Sequence, residues 1–205
     1  MTKSEIYNTD CLEFMRGLPD NAFDIAIADP PYNLKKTSVR GSGKLKNRVL
    51  NTSDMSWDFT PPNEFFEELR RVSKHQIIWG GNYFDLPPCR CFVSWDKMQP
   101  WENFSQAEFA WTSFDKPAKV FRHTSRVKNK WHPTQKPVEL YAYLLKTFAK
   151  EGDRIFDPMF GSGSSRIAAY KMGFDYVGCE ISVEYFRKHE EWFSSECLSQ
   201  GELFK

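Results

Sequence analysis

Cysteine is scarce and unpatterned. There are five, an odd number, with no Cys-x-x-Cys pair and with Cys89 and Cys91 only one residue apart. That argues against a disulfide framework or a cysteine-based zinc site and for free thiols in a reducing cytoplasm. Long apolar runs are missing too. No stretch approaches the ~20 apolar residues of a membrane span, and Met1-Thr2-Lys3-Ser4 leads into no signal-peptide core, so a cytoplasmic location without membrane contact is expected. Histidine is limited to four residues, and His132 has no second His or Cys at ligand spacing. No metal is therefore expected, and His132 reads as a hydrogen-bonding loop residue. Nor is there an excess of either charge, since the net value is only +1.

What is present is an ordinary globular composition over 205 residues, enough for one domain, 1–205, with a sizeable core. The near-neutral charge hides an asymmetry. Lys35, Lys36, Arg40, Lys44, Lys46 and Arg48 lie in a stretch without acidic residues, as do Lys116, Lys119, Arg122, Arg126, Lys128, Lys130 and Lys136. These two stretches hold 13 of the 28 basic residues and leave 15 basic against 27 acidic elsewhere. An acidic body with a concentrated basic face points to a polyanion such as nucleic acid, although solvated loops would share the pattern. The segment 33–60, polar, basic and containing Gly41-Ser42-Gly43, is too long for an ordinary connection and is expected to be a mobile loop that orders on a nucleic-acid partner. The second basic segment is 113–136.

The chemistry concentrates at Asp29-Pro30-Pro31-Tyr32. The preceding run, Phe23-Asp24-Ile25-Ala26-Ile27-Ala28, is short and aliphatic and reads as a strand buried on both faces. The tetrapeptide then stands at a strand's C-terminal end, where open α/β sheets bind ligands. Neither proline has a backbone N–H, so the pocket floor is expected to present acceptors only: the Asp29 carboxylate and the Pro30 carbonyl. That suits an exocyclic amino group such as adenine N6 or cytosine N4, with Tyr32 as a stacking face for a base extruded from a duplex. A strand followed by a plain Pro-Pro turn is the alternative.

Along the rest of the chain, Ile6 to Asn8 reads as a strand and Asp10 as the N-cap of a short helix, in capping-box register with Glu13. Asn63 is expected to cap a helix carrying Phe65, Phe66, Leu69 and Val72. Gln76 to Trp79 is a strand, and Gly80-Gly81 either admits a ligand's close approach or simply turns the chain. Cys91 to Trp95, Glu108 to Thr112 and Ala118 to Phe121 are strand-like without intervening helices, so the sheet is expected to turn antiparallel there. Pro137 opens a helix. Arg154 to Asp157 is a strand leading into Pro158-Met159-Phe160-Gly161-Ser162-Gly163 and a further helix. The turn lacks Gly-Lys-Ser/Thr, and Arg166 replaces the third glycine of a dinucleotide fingerprint, which favours a phosphate-free cofactor. Glu180 ends the next strand, 23 residues past Asp157, well placed to accept the ribose hydroxyls of a nucleoside.

Together, the Asp29-to-Tyr32 turn, the Asp157-to-Gly163 loop and Trp131-His132-Pro133-Thr134-Gln135-Lys136-Pro137 resemble the amino-group DNA methyltransferases that use S-adenosylmethionine. The order of the motifs resembles their circularly permuted beta class. The resemblance implies a Rossmann-like α/β fold, doubly wound, with a mostly parallel seven- or eight-stranded sheet and an antiparallel edge. It implies that Asp29, Pro30, Pro31 and Tyr32 are catalytic and that Gly161 and Gly163 approach the methionine portion of S-adenosylmethionine. Asp157 and Lys136 would lie near its amino-acid end, Glu180 at the ribose and Asp10 near the adenine. The family commonly has Phe where this chain has Met159, so the choice of contact falls between Met159 and Phe160, with Phe160 the candidate. Double-stranded DNA is the implied partner, with Lys35, Lys36, Arg40, Lys44, Arg48, Arg122, Arg126, Lys128 and Lys130 as candidate contacts. Family members often pair, so a homodimer is a further expectation, as are a bacterial or phage origin and a restriction-modification setting. Adenine N6 is the expected target, because the family's adenine enzymes usually carry Asp at the first position of the tetrapeptide and its cytosine-N4 enzymes more often Ser. Methylation of cytosine N4, of RNA or of a protein amide, or an inactive DNA-binding module on the same scaffold, are the alternatives.

Overall fold

The computed structural model describes residues 2–32, 59–100, 105–126 and 130–198. The expected loop contacts Lys35, Lys36, Arg40, Lys44 and Arg48, and also Lys128, lie outside the described residues. In chain order the elements are β1 (Ser4–Tyr7), α1 (Cys11–Arg16), β2 (Phe23–Ala28), α2 (Asn63–Val72), β3 (Ser73–Trp79), β4 (Phe92–Asp96), β5 (Ala107–Thr112) and β6 (Lys119–Arg122). There follow α3 (Val138–Phe148), β7 (Arg154–Asp157), α4 (Ser164–Lys171), β8 (Asp175–Cys179) and α5 (Val183–Phe193). A 3-10 turn at Gly81–Tyr83 follows β3, and a π turn at Ser194–Leu198 ends the described chain.

The eight strands form one sheet in the order β1-β8-β7-β2-β3-β5-β4-β6. Only β5 runs against the others, pairing antiparallel with β3 and β4. The sheet is thus the mostly parallel α/β arrangement expected, with its antiparallel pairing confined to the half beyond β3. Helices cover both faces, as buried parallel strands require. On one face α1 and α2 pack Met15, Phe65, Phe66, Leu69 and Val72 against Ala26, Ala28, Phe156 and Val177. On the other, Leu140, Tyr141, Leu144 and Leu145 of α3 and Ala168 and Ala169 of α4 cover Ile25, Ile27, Ile77 and Ile155. Fully burying a large apolar side chain contributes about 1.5 to 3 kcal/mol, so β2, with residues 25–28 all buried, is anchored on both sides.

Two neighbours matter for function. β2 pairs in parallel with β3 on one side and with β7 on the other, Ile25 facing Ile155. The backbone N–H of Arg154 also donates to Asp24 Oδ2 at 2.8 Å across 130 residues of sequence. The turn after β2 and the glycine loop after β7 therefore share one sheet edge. One local expectation fails: Asn63 is the first residue of α2, and Pro62 precedes it with no side-chain cap. The extended φ and ψ that proline favours set the helix entry without one. Asp10 does cap α1, accepting from the N–H groups of Leu12 and Glu13.

Candidate active site

Four adjacent strands end in a carboxylate. Asp10 follows β1, Glu180 follows β8, Asp157 closes β7 and Asp29 follows β2. Asp10, Glu180 and Asp157 accept from backbone N–H groups, whereas among the described residues Asp29 is held by side chains alone, and the difference divides the edge into two halves.

At Asp29 the expectation of an acceptor-only floor is corrected. The Tyr32 hydroxyl donates to Asp29 Oδ1 at 2.6 Å, and Lys136 Nζ donates to Asp29 Oδ2 at 2.5 Å. The prolines bring no backbone donor to this turn, but the tyrosine's own hydroxyl and a lysine from 107 positions away supply two. Tyr32 is fixed from behind. Gly80 is left-handed with φ +68, and a Cβ there would lie 2.0 Å from Tyr32 Cε1. The ring also stacks on Tyr83 at 4.9 Å and meets Phe84 at 5.9 Å. Burial and the neighbouring Asp29 charge push the Tyr32 pKa up, so it remains a neutral donor.

Lys136, the candidate for the amino-acid end of the cofactor, has its ammonium in the Asp29 pocket. It contacts Glu108 Oε2 at 3.1 Å, and Glu108 Oε1 is held by Lys97 at 2.6 Å. The Trp79 ring lies 5.5 Å from Lys136 Nζ. Burial opposes the Lys136 charge, but Asp29 and Glu108 outweigh it and its pKa rises. Burial likewise opposes ionisation of Glu108, yet Lys136 and Lys97 bring its pKa down to about 2. The result is a chain of alternating charge, Asp29, Lys136, Glu108, Lys97. It lines a cavity of about 350 Å³ bounded also by Pro30, Pro31, Trp95 and the Pro133-to-Gln135 segment. That volume is at the small end of ligand pockets. Glu108 and Lys97 escaped sequence reasoning, and the available clue was a lone acid among the apolar residues of β5.

The glycine-loop half is tied together by backbone N–H groups. Glu180 Oε2 accepts from Gly161 N at 3.0 Å and Oε1 from Ser182 N at 2.7 Å. Burial raises its pKa and these bonds oppose the rise. Asp157 accepts from Met159 N at 3.1 Å and from the Ser165 hydroxyl at 2.6 Å, and burial pushes its pKa up to about 7. Gly163 is left-handed with φ +76, and a Cβ there would meet His189 Nδ1 at 1.9 Å. The His132 ring lies 3.3 Å from the Cβ position of Gly161 and packs on Tyr185 at 4.3 Å, with its pKa lowered to about 4 by burial and by Lys130 and Lys136. Phe160 is buried over Gly178 and beside His189, whereas Met159 packs at the margin of the α1 and α2 face. The two halves meet where the Ser164 hydroxyl donates to the Lys136 carbonyl at 2.7 Å.

Of the described candidate DNA contacts, Arg122 is exposed on β6 and pairs with Asp96 at 3.4 Å. Arg126 is exposed, and Lys130 is exposed while lining the mouth of the cavity. Among the described residues no cluster of His, Cys, Asp and Glu could hold a metal, and no helix is long and apolar enough to cross a membrane.

Comparison with known proteins agrees with this geometry. A family model described as DNA methylase matches residues 78–191. The type II methyltransferase M2.DpnII of Streptococcus pneumoniae is 24% identical over 90% of this chain and 87% of its own length. M2.MboI of Moraxella bovis is 24% identical over 88% of this chain and 84% of its own. Among solved structures, the M1.HpyAVI complex with S-adenosylmethionine superposes with a TM-score of 0.60 at 19% identity, covering 91% of this chain and 97% of the other. The cytosine-N4-specific PvuII DNA methyltransferase superposes with a TM-score of 0.63 at 13% identity, covering 92% and 86%.

Proposed function

The chain belongs to the family of amino-group DNA methylases, and from that premise we propose that it methylates the N6 of adenine in duplex DNA, with S-adenosylmethionine as donor. The observation that carries the reading is Asp29: a carboxylate at the end of a central strand, in a small cavity, one strand away from the acidic glycine-loop half. The residues of that half suit the donor. Carboxylates on three successive strand ends favour a positively charged ligand, and Glu180 beside a glycine turn without a phosphate-binding lysine suits a nucleoside without phosphate. Asp10, Asp157, Gly161, Gly163 and Glu180 would hold it. When bound, S-adenosylmethionine supplies an electrophilic methyl group on a sulfonium.

The chain's own residues do the remainder. The lone pair of an exocyclic amine is delocalised into its ring, which makes it a weak nucleophile. Hydrogen bonds from its two N–H groups to Asp29 and to the Pro30 carbonyl favour the pyramidal geometry and offset the positive charge that grows on nitrogen during attack. Such preorganised contacts are worth about 3 to 4 kcal/mol. Asp29 need not be a strong base, because the methylated ammonium is acidic and sheds a proton readily. Tyr32 offers its ring to the extruded base. Pro31 removes a competing N–H from the cradle. Arg126 and Lys130, with the basic residues of segment 33–60, would meet the phosphates.

The test is transfer of radiolabelled methyl from S-adenosylmethionine to duplex DNA, followed by digestion to nucleosides. N6-methyladenine is the expected product. N4-methylcytosine alone would overturn the choice of base, and unlabelled DNA would overturn the activity. Asp29→Ala should retain cofactor binding in calorimetry and lose turnover by about 10² to 10³-fold.

A further inference from the structure

Resting on the reading above, we infer that Glu108 is a second seat for the Lys136 ammonium, which moves there from Asp29 when the target amine enters. Glu108, steadied by Lys97, is thereby a positioning residue for methyl transfer. The reason for such a seat lies in the pairing of Asp29. Both its oxygens already carry a donor, Tyr32 on Oδ1 and Lys136 on Oδ2. Each oxygen keeps a further lone pair, so an incoming amine can reach this carboxylate, but it then shares it with an ammonium 2.5 Å away that neutralises the charge a growing positive nitrogen needs.

Tyr32 has little room to yield, with its ring pressed on Gly80 and stacked on Tyr83. Lys136 has somewhere to go. Its Nζ is already 3.1 Å from Glu108 Oε2, an oxygen with no other donor among the described residues. Lys97 holds the other oxygen, Oε1, at 2.6 Å, so Glu108 is oriented without being saturated. The charges of Asp29, Glu108, Lys97 and Lys136 cancel, and the Lys136 side chain is only 5% exposed. A buried cation that loses its partner is strongly penalised. Passing from one carboxylate to the next avoids that penalty and frees Asp29 for the amine. Without Glu108 the ammonium would stay locked on Asp29.

Single-turnover methyl transfer to DNA and calorimetric binding of S-adenosylmethionine test this in Glu108→Gln, Glu108→Asp and the double variant Glu108→Gln with Lys136→Met. Glu108→Gln is expected to bind cofactor like wild type and to slow transfer by about 10²-fold, and Glu108→Asp to regain most of the loss. Adding Lys136→Met to Glu108→Gln should restore at least about tenfold, because no ammonium then neutralises Asp29. A purely structural Glu108 predicts the reverse, a double variant as slow as the single one or slower, and that result would overturn the inference. So would Glu108→Gln turning over at the wild-type rate. If Glu108→Gln fails to fold, the charge-balanced double variant decides: measurable transfer supports the handover, and intact cofactor binding without transfer refutes it. A wild-type protein that methylates no DNA would instead bring down the functional reading and the handover with it.

Discussion

At the scale of single residues, the carboxylates along this sheet edge differ in what surrounds them. Asp29 and Glu108 face ammonium groups, whereas Asp157 faces only a hydroxyl and an N–H from within the core. The pH dependence of stability should separate them. Asp157 is 2% exposed, and burial, opposed by Ser165 and Met159, raises its pKa from 3.8 to about 7. A folded-state pKa above the unfolded one means that the native protein binds the extra proton in this window. The Asp157 contribution therefore weakens as pH rises from about 4 to about 7. Glu108 has the opposite sign. Its pKa lies near 2 despite burial, because Lys136 and Lys97 favour the charge, so its contribution is present above 4.5 and is lost as pH falls towards 2. Asp157→Asn should therefore gain melting temperature relative to wild type between pH 5 and pH 8. A gap that stays constant over that interval would show that Asp157 does not hold a proton in the native state.

At the scale of elements, the function depends on turns that bring side chains close to backbone. The strands and the two turns after β2 and β7 were legible, because apolar runs of strand length ended at prolines or glycines and helical periodicity resumed beyond them. What each glycine admits was not legible. Gly80 allowed two readings in sequence, a ligand's close approach or a plain turn, and the structure shows a third, close approach by the Tyr32 ring from the neighbouring turn. A methyl group at Gly80 faces two penalties, about 1 to 2 kcal/mol for an L-residue in the left-handed region and a 2.0 Å clash with a ring tethered to Asp29. Gly80→Ala is therefore expected to displace Tyr32 and slow methyl transfer by about 10²-fold while leaving cofactor affinity near wild type. Unchanged turnover would mean that the position of Tyr32 has no bearing on the reaction.

At the scale of the whole molecule, the sheet order joins β2 to β7 and so joins a turn near residue 30 to one near residue 160. Motif order foreshadowed that junction, but it carried no trace of the ionic chain beneath it. Lys97, Glu108 and Lys136 come from separate segments and form no pattern in sequence, so only the folded sheet shows why a lone acid sits in β5. The same limit applies to the basic segment 113–136, which looked uniform in sequence and is not. Lys136 is buried, Arg122 is already paired with Asp96, and Arg126 and Lys130 are exposed. Binding to phosphate releases counterions, so each neutralised contact contributes about one to the slope of log affinity against log salt. Arg126→Ala with Lys130→Ala is expected to weaken duplex binding equally on any sequence and to lower that slope by about two, whereas Arg122→Ala, which frees Asp96, should lower it by less than one. Fluorescence anisotropy over a salt series measures both. Equal slopes for wild type and the double variant would place the duplex elsewhere on the protein, away from the mouth of the Asp29 cavity.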